Sequence, residues 1–337
     1  MQVSVIGAGS WGTSIAAITS RSHTVRLWAR RPELATAIAS GENPDYLPGI
    51  ALPDAIDATS DLEEALTGAE VVVFAVPSHG LRDVVRDAAP HLPSEVPVLS
   101  LTKGIERDSL LRMTEVIAHE AETDASITGV LTGPNLAREI LAGQPAAAVI
   151  GMVDAEVAAE LQSVLMTPTF RIYTNTDVVG CEAAGALKNV MAIAAGIAHG
   201  LGYGDNSKAA LITRALAELT RLGVALGGQP MTFAGLAGMG DLIATCSSPQ
   251  SRNRRVGEEL GRGRALGDIV AEMRMVAEGV KTTESVLALA GRHDVEMPIA
   301  SMVGEALDGG RTPSDLVADL MTREAKAELH GIEDDTA

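Results

Sequence analysis

Short apolar runs alternate with segments of helical spacing along the first half of the chain. The apolar runs have the length of buried strands, and the segments between them, such as 60–66 and 81–89, are long enough for crossover helices. The first run, residues 3–6, passes directly into the sequence GAGSWG, and helix-compatible spacing continues over residues 13–20. Alternation of this kind predicts a doubly wound, mostly parallel sheet. We interpret the following runs as strands: 3–6, 23–29, 71–76, 96–102, 128–134, 146–151 and 170–174.

The pattern changes near residue 177. Beyond it, Ala, Leu and Val recur at helical spacing with glycine breaks, and almost no run is of the β type. The polar sequence YTNTD at 173–177 is the predicted joint. A chain of 337 residues is long for a single core. We therefore expect two domains, an α/β domain over residues 1–176 and an all-α domain over residues 177–337.

One predicted helix of the second part, residues 179–200, is nearly all small or apolar but carries a lysine near its centre. At helical spacing, Lys188 and Asn189 lie beside an apolar face. In one interpretation, Lys188 extends to solvent along its methylene stem, as most lysines beside apolar surface do. In the other, its ammonium group is held by a partner or takes part in chemistry. The helix alone favours the first interpretation.

Gly7, Gly9 and Gly12 form the pattern G-x-G-x-x-G between the first strand and the first helix. In this setting the first glycine permits a tight turn, the second lets a pyrophosphate approach the backbone, and the third lets the helix pack on the strand. The helix N-terminus then presents N–H groups to the phosphates. A glycine pattern alone indicates only a tight turn. Its position before a helix and a second strand predicts that residues 1–176 form a dinucleotide-binding Rossmann domain.

Two arginines follow the second predicted strand. An NAD-selective site normally places Asp or Glu about twenty residues beyond the glycines, where it contacts the ribose hydroxyls. Arg30 and Arg31 stand there instead. Guanidinium groups match a 2′-phosphate with bidentate geometry, so the position favours NADPH over NADH. The alternative is two solvated arginines that precede a helix starting with Pro32 and Glu33.

The chain has a formal net charge of -18. This charge argues against nucleic acid or an anionic membrane as the main partner, because both require a basic face. An anionic substrate must therefore be attracted by a local cluster of cations. Three such clusters occur, at residues 29–31, at Lys103 and at residues 251–255.

The length of the apolar runs, the first residues of the chain and the two cysteines indicate the cellular location of the protein. No run reaches the roughly 18 apolar residues that a membrane-spanning helix needs. The chain begins MQVSVIGAGSWG, without a charged or cleavable leader. Cys181 and Cys246 sit in apolar or glycine-rich surroundings without metal-ligand spacing, which fits reduced structural thiols. We expect a cytoplasmic protein with no integral membrane segment and no bound metal, and the sequence leaves open whether it is a monomer or a homodimer.

Several short sequence pieces occur together in a characteristic order. They are GAGSWGT, VPSH, TKG (102–104), GPNLARE (133–139), GALKNV (185–190), LITRALAE (211–218), GMGDLIATC (238–246), QSRNRR (250–255) and AEG (277–279). In this order they resemble bacterial NAD(P)-dependent glycerol-3-phosphate dehydrogenase, over about residues 1–325. No single piece is unique to that family, but the ordered set is hard to obtain otherwise.

The resemblance implies reversible reduction of dihydroxyacetone phosphate to sn-glycerol 3-phosphate, which supplies glycerophospholipid synthesis. Lys188 matches the family's acid–base lysine, which gives a proton to the carbonyl oxygen as hydride reaches the ketone carbon. Asp241 resembles the carboxylate that orients this lysine or a hydroxyl group. Without the family, Asp241 is better interpreted as a helix N-cap.

Substrate and cofactor contacts follow from the same resemblance. Residues 251–253 resemble a phosphate-binding group of guanidinium, hydroxyl and amide donors. Without the family, the sequence SRNRR at 251–255 indicates a solvated basic loop. The implied substrate contacts are Lys103, Gly133, Asn135, Lys188, Asp241, Ser251, Arg252 and Asn253. The implied contacts with NADPH or NADH are Gly7, Gly9, Ser10, Trp11, Gly12, Arg30, Arg31, Lys103, Ala137, Arg252, Val276 and Glu278.

One stretch departs from the family pattern. Many members have GPSFA or GPTFA where this chain has GPNLA, so Asn135 replaces a hydroxyl residue and Leu136 an aromatic one. An asparagine can still donate and accept hydrogen bonds. Two other functions suit the architecture. A reductase of a branched keto acid would not need the phosphate-binding residues 251–253, and a catalytically silent nucleotide sensor would not need Lys188 and Asp241.

Overall fold

The chain folds into two compact units in a computed structural model that describes residues 1–273 and 277–328. The first unit consists of Met1–Lys103 and Leu111–Val178. The second consists of Gly104–Leu110 and Val179–Ala337. No pattern in the sequence indicates that the short segment Gly104–Leu110 belongs with the helical part. Within the second unit, Arg107 of this segment forms an ion pair of 2.7 Å with Glu284.

The first unit contains one eight-stranded sheet in the order β3-β2-β1-β4-β5-β6-β7-β8. Neighbouring strands are parallel except β6 and β7, which are antiparallel. This confirms the predicted doubly wound, mostly parallel sheet. The strands are β1 (Gln2–Ile6), β2 (Thr24–Trp28), β3 (Ile56–Thr59), β4 (Val71–Phe74), β5 (Val98–Ser100), β6 (Thr128–Thr132), β7 (Ala146–Gly151) and β8 (Phe170–Asn175).

Apolar clusters cover both faces of this sheet. Side chains alternate along each strand, so one strand can contribute to both clusters. Val3 and Val5 of β1 join an apolar cluster on one face together with Ile15. Ile6 of the same strand joins the cluster on the opposite face together with Leu81. The helices of this unit are α1 (Ser10–Thr19), α2 (Pro32–Ala39), α3 (Leu62–Leu66), α4 (Ser78–Ala88), α5 (Met113–Ala121), α6 (Ala137–Leu141) and α7 (Ala155–Leu165), with a 3₁₀ turn at Ala89–His91.

The second unit is helical, as predicted, and none of its described residues forms a strand. A π-helical turn, Leu236–Gly240, lies between its third and fourth helices. Its helices are α8 (Val178–Gly200), α9 (Asp205–Ala225), α10 (Pro230–Phe233), α11 (Asp241–Ser247), α12 (Arg252–Gly261), α13 (Leu266–Ala271), α14 (Glu278–Arg292), α15 (Pro298–Asp308) and α16 (Pro313–Met321).

Helix α8 is long, apolar and buried. By length and hydropathy alone it could cross a membrane, but 94% of its apolar window is buried inside the protein. An all-round apolar helix of this kind is expected in the core of a large helical domain. Its apolar side chains are therefore covered by neighbouring helices.

Helices α8 and α12 touch backbone to backbone. A Cβ atom added at Gly196 of α8 would lie 2.0 Å from the carbonyl oxygen of Arg254. A Cβ atom at Gly257 of α12 would lie 1.9 Å from the carbonyl oxygen of Ile193. Neither distance can accommodate a side chain, so only glycine allows this approach. The contact places the first turns of α12 against the C-terminal half of α8.

We expect Gly257→Ala to destabilise the protein by about 1–3 kcal/mol, the usual cost of overpacking a filled core. The matched control is Gly267→Ala in α13, where an added Cβ meets no atom within 4 Å. The control should be neutral or stabilise by up to about 1 kcal/mol, because alanine is the better helix former. Chemical denaturation followed by circular dichroism compares the two variants. Equal free energies of unfolding would show that α8 and α12 are not in backbone contact.

A buried glutamate caps the start of α15. The side chain of Glu218, on α9, accepts hydrogen bonds from the backbone N–H groups of Ile299 (2.8 Å) and Ala300 (3.3 Å). No side chain at the N-cap position itself performs this role. Burial raises the pKa of Glu218 to about 7, against the opposing effects of these two N–H groups and of Arg221 and Arg214. Glu218 therefore titrates near neutral pH in the folded protein.

We expect this glutamate to give the protein an unusual pH dependence. Because its pKa is higher in the folded than in the unfolded chain, the folded state holds the extra proton, and stability falls as pH rises from about 4.5 to about 7. Glu218→Gln removes this loss, so its stability relative to the parent should increase over that range by on the order of 3 kcal/mol at most. Denaturation at pH 5 and pH 8 tests this. Exposed Glu324→Gln is the control, and a parallel pH dependence in the parent and Glu218→Gln would contradict the assignment.

Candidate active site

The glycine turn after β1 has the geometry of a nucleotide-binding turn. Gly7 has a φ of +122°, a backbone conformation that favours glycine. A Cβ atom at Gly12 would lie 2.0 Å from the carbonyl oxygen of Gly7, so α1 packs closely on the turn. At Gly9, by contrast, an added Cβ meets no atom within 4 Å. The backbone at Gly9 is thus open to a ligand at the N-terminus of α1, and these residues fit a dinucleotide pyrophosphate.

Ser10, Trp11 and Ala137 lie around this turn. Ser10 and Trp11 begin α1, and Ala137 begins α6, which packs against α1. The indole ring of Trp11 meets Phe170 edge to face at 6.0 Å between centroids. Its Nε1 atom is buried and has no hydrogen-bond partner among the described residues. Buried indole N–H groups normally find a partner, so this donor fits a ligand contact.

The two arginines after β2 differ in their surroundings. Arg30 is exposed and has no hydrogen-bond partner within the part of the chain that the structure describes. Arg31 occupies the N-cap position of α2 and forms an ion pair with Asp45. The hydrogen bond from Arg31 to Asp45 raises the pKa of the guanidinium group. Both arginines are partly solvated and adjoin a helix, as the alternative interpretation states, yet neither feature prevents them from binding a 2′-phosphate. Asp45 was not anticipated from the sequence.

Several polar groups collect at the carboxyl ends of β5 and β6. The ammonium group of Lys103 donates to the carbonyl oxygen of Gly133 at 3.0 Å. The hydroxyl of Thr132 and both side-chain polar atoms of Asn135 are buried without a hydrogen-bond partner among the described residues. Ligands bind beyond the carboxyl ends of the strands in folds of this type. These groups therefore fit contacts with a polar ligand.

Lys188 is buried and paired. Its side chain is 8% exposed, and its Nζ atom lies 2.9 Å from a carboxylate oxygen of Asp241, which is 2% exposed. The same ammonium group donates a hydrogen bond of 2.7 Å to the hydroxyl of Thr245. The interpretation that Lys188 extends to solvent is wrong, because the apolar surroundings of α8 enclose the ammonium group together with its counter-ion.

Asp241 and Thr245 are held by one helix. Asp241 is the first residue of α11, whose N-cap position belongs to Gly240, so the N-cap interpretation of Asp241 is wrong. Thr245 lies one helical turn further and donates to the Asp241 carboxylate at 3.1 Å. Sequence reasoning missed Thr245, although its spacing of four from Asp241 places both on one helix face. The neighbouring Cys246 stays a neutral thiol, because burial raises its pKa to about 12.

The predicted phosphate-binding residues form the start of α12. Ser251 is the N-cap residue, and its hydroxyl accepts a hydrogen bond from the backbone N–H of Arg254 at 3.2 Å. Asn253 donates to the Asn189 side chain at 2.9 Å and accepts from the backbone N–H of Gly279 at 2.9 Å. The solvated-loop interpretation of residues 251–255 is wrong, because residues 252–255 lie in α12 and both Ser251 and Asn253 are buried. Of these five residues, Arg252 and Arg255 are exposed.

The second unit brings its candidate residues together around α8. Asn189, next to Lys188, accepts a hydrogen bond from Asn253. Gly279, in α14, donates a hydrogen bond to Asn253. Glu278, a predicted cofactor contact, is the first residue of α14. Val276, another predicted cofactor contact, lies outside the described residues. Asn189 was absent from the predicted site, although its place beside Lys188 in GALKNV was visible.

A Rossmann sheet with an open glycine turn, followed by a helical unit with a buried ammonium group, is the architecture of nicotinamide-dependent dehydrogenases, and we assign the chain to this class. Residues 2–158 match the family description "NAD-dependent glycerol-3-phosphate dehydrogenase N-terminus". Residues 177–318 match the corresponding C-terminus. The chain belongs to the NAD-dependent glycerol-3-phosphate dehydrogenase family.

Similar proteins cover nearly the whole chain. A glycerol-3-phosphate dehydrogenase [NAD(P)+] 2 of Sphingopyxis alaskensis is 54% identical over 331 residues, which cover 98% of this chain and 99% of the relative. A glycerol-3-phosphate dehydrogenase [NAD(P)+] of Streptomyces griseus is 52% identical, with 97% and 98% covered. The crystal structure of glycerol-3-phosphate dehydrogenase from Coxiella burnetii superposes with a TM-score of 0.91 at 36% identity, covering 96% of this chain and 99% of that one.

Proposed function

We propose that Lys188 is the acid–base group in NAD(P)H-dependent reduction of dihydroxyacetone phosphate to sn-glycerol 3-phosphate, the reversible reaction of this family. The observation that carries this assignment is the buried contact of the ammonium group with Asp241 and Thr245. An ammonium group has three donors, and the described residues engage it through these two side chains. The third N–H is thus available to a carbonyl oxygen.

Side chains of the protein donate and accept the proton in this reaction. When bound, the reduced nicotinamide supplies the hydride that the ketone carbon receives. Negative charge then develops on the carbonyl oxygen, and Lys188 donates a proton to it. In the oxidative direction the Lys188 amine accepts the alcohol proton. Asp241 and Thr245 hold the Nζ atom in place through both directions.

The substrate phosphate is bound at the start of α12 in this proposal. The helix N-terminus favours an anion, and the exposed guanidinium group of Arg252 adds charge-assisted hydrogen bonds. Ser251 and Asn253 are uncharged and stabilise the first turn of α12, whereas Arg252 supplies the positive charge. Local cations are needed here because the chain as a whole carries a net charge of -18.

The first domain, residues 1–176, binds the cofactor in this proposal, and the second, residues 177–337, supplies the catalytic groups. Lys103, Gly133 and Asn135 contact the substrate, and Lys103 also contacts the cofactor. Arg30 and Arg31 support use of NADPH alongside NADH. The product supplies glycerophospholipid synthesis, and the reduced, buried Cys181 and Cys246 support a cytoplasmic location.

We expect Lys188→Ala to lower turnover by about a hundred- to ten-thousand-fold, the usual loss when a positioned acid is removed. Lys188→Arg should restore little, because a guanidinium group is a very poor proton donor near neutral pH. The measurement is turnover at saturating substrate, together with NADPH affinity by fluorescence. Wild-type turnover in Lys188→Ala would refute the assignment.

The control for this experiment takes account of the buried carboxylate. Lys188→Ala leaves Asp241 buried without its cation, which destabilises the fold. Lys188→Ala combined with Asp241→Asn removes that charge and should recover stability but not turnover. Exposed Lys326→Ala should retain the parent's turnover. Recovery of turnover in the double variant would assign the loss to folding instead of acid catalysis.

We expect Arg252→Ala to raise KM for dihydroxyacetone phosphate by about ten- to a hundredfold, which is the value of one charge-assisted hydrogen bond. KM for unphosphorylated dihydroxyacetone should change little, because that ketone has no phosphate to bind. Arg255→Ala, which removes the same charge from the exposed face of α12, is the control. An equal effect on both ketones would show that Arg252 does not bind phosphate, and would favour a substrate without phosphate, such as a keto acid.

A further inference from the structure

The ion pair between Arg31 and Asp45 stands where the cofactor ribose is expected. The Arg31 side chain is 52% exposed and that of Asp45 is 45% exposed, so both groups are accessible to a ligand. NAD-selective sites place a carboxylate after the second strand to accept a hydrogen bond from the ribose hydroxyl. At that position this chain has arginines. Asp45, in a later loop, places a carboxylate beside the guanidinium group of Arg31.

Asp45 belongs to a loop that is fastened to the glycine turn. Asn43, which is 1% exposed, donates to the carbonyl oxygen of Ala8 at 3.0 Å and to the hydroxyl of Thr13 at 2.9 Å. Its own side-chain oxygen accepts from the backbone N–H of Tyr46 at 3.1 Å. The loop around Asp45 is therefore positioned by the same turn that fits the pyrophosphate.

We propose that Asp45 is a cofactor-specificity residue that supports NADH binding and restrains the preference for NADPH; this inference rests on the proposed cofactor site. The 2′-phosphate of NADPH needs the Arg31 N–H groups that Asp45 accepts from, and the carboxylate repels the phosphate. The 2′-hydroxyl of NADH carries no charge and can donate to the carboxylate. The Arg31–Asp45 pair thus serves both cofactors, with the arginine for the phosphate and the aspartate for the hydroxyl.

The test compares dissociation constants of NADPH and NADH for the full chain, by isothermal titration calorimetry without substrate. Asp45→Asn and Asp45→Ala should each raise the ratio of NADPH affinity to NADH affinity by about fivefold, the size expected for one charge contact at a partly exposed site. Part of the change should disappear at high salt, because salt screens exposed charges. Asp45→Ala should also weaken NADH, since it removes the acceptor.

Two further variants test the role of Asp45 and the placement of the cofactor site separately. Glu33→Gln removes the same charge near Arg31, from the first turn of α2, and should change the ratio by less than about twofold because Glu33 makes no ion pair with Arg31. An equal shift in Glu33→Gln, or an unchanged ratio in both Asp45 variants, overturns the role of Asp45. Arg31→Ala should weaken NADPH selectively. If it leaves NADPH affinity unchanged, the cofactor site itself is wrongly placed, whatever Asp45 does.

Discussion

Backbone contact between α8 and α12 is the constraint on which the helical unit depends. Because Gly196 and Gly257 have no side chains, the two helices approach until carbonyl oxygens occupy the space where Cβ atoms would lie. The approach brings the first turn of α12 to α8, where Asn253 bonds to Asn189 beside Lys188. The proposed phosphate-binding end of α12 and the proposed proton donor Lys188 thereby belong to one packing arrangement instead of two independently placed groups.

The buried ion pair then determines what this arrangement can do. Transfer of an ammonium group into an apolar core is unfavourable unless a counter-ion and hydrogen bonds accompany it. Asp241 and Thr245 supply both from one face of α11. The pair gives little net stability relative to a hydrophobic core, so stability alone does not account for a lysine at this position. The proposed acid–base role of Lys188 accounts for it, because a fixed donor needs no reorganisation when charge develops on the substrate.

Much of the fold could be predicted from local pattern, and the exceptions have physical causes. Buried parallel strands are nearly continuous apolar runs, so β1, β4 and β7 were visible in the sequence. Strand β3, with the sequence IDAT, lies at the edge of the sheet, contains an exposed aspartate and a half-buried alanine, and gave no such signal. The motifs indicated Lys188 and Asp241, but the contacts of Asn189 with Asn253 and of Asp45 with Arg31 depend on packing that no local pattern records. Such contacts join residues 64 positions apart, as for Asn189 and Asn253.

Opposite charges are paired at two of the places where this acidic chain is proposed to bind anions or developing negative charge. Arg31 has Asp45, and Lys188 has Asp241. Their exposure separates their roles. The half-exposed Arg31–Asp45 pair is weak and screened, so a ligand phosphate can displace the carboxylate at small cost. The enclosed Lys188–Asp241 pair cannot exchange partners in this way, because separation would leave a buried charge without compensation. Exposure therefore lets the Arg31–Asp45 pair exchange partners, which suits a choice between cofactors. Burial keeps the Lys188–Asp241 pair fixed, which suits proton transfer.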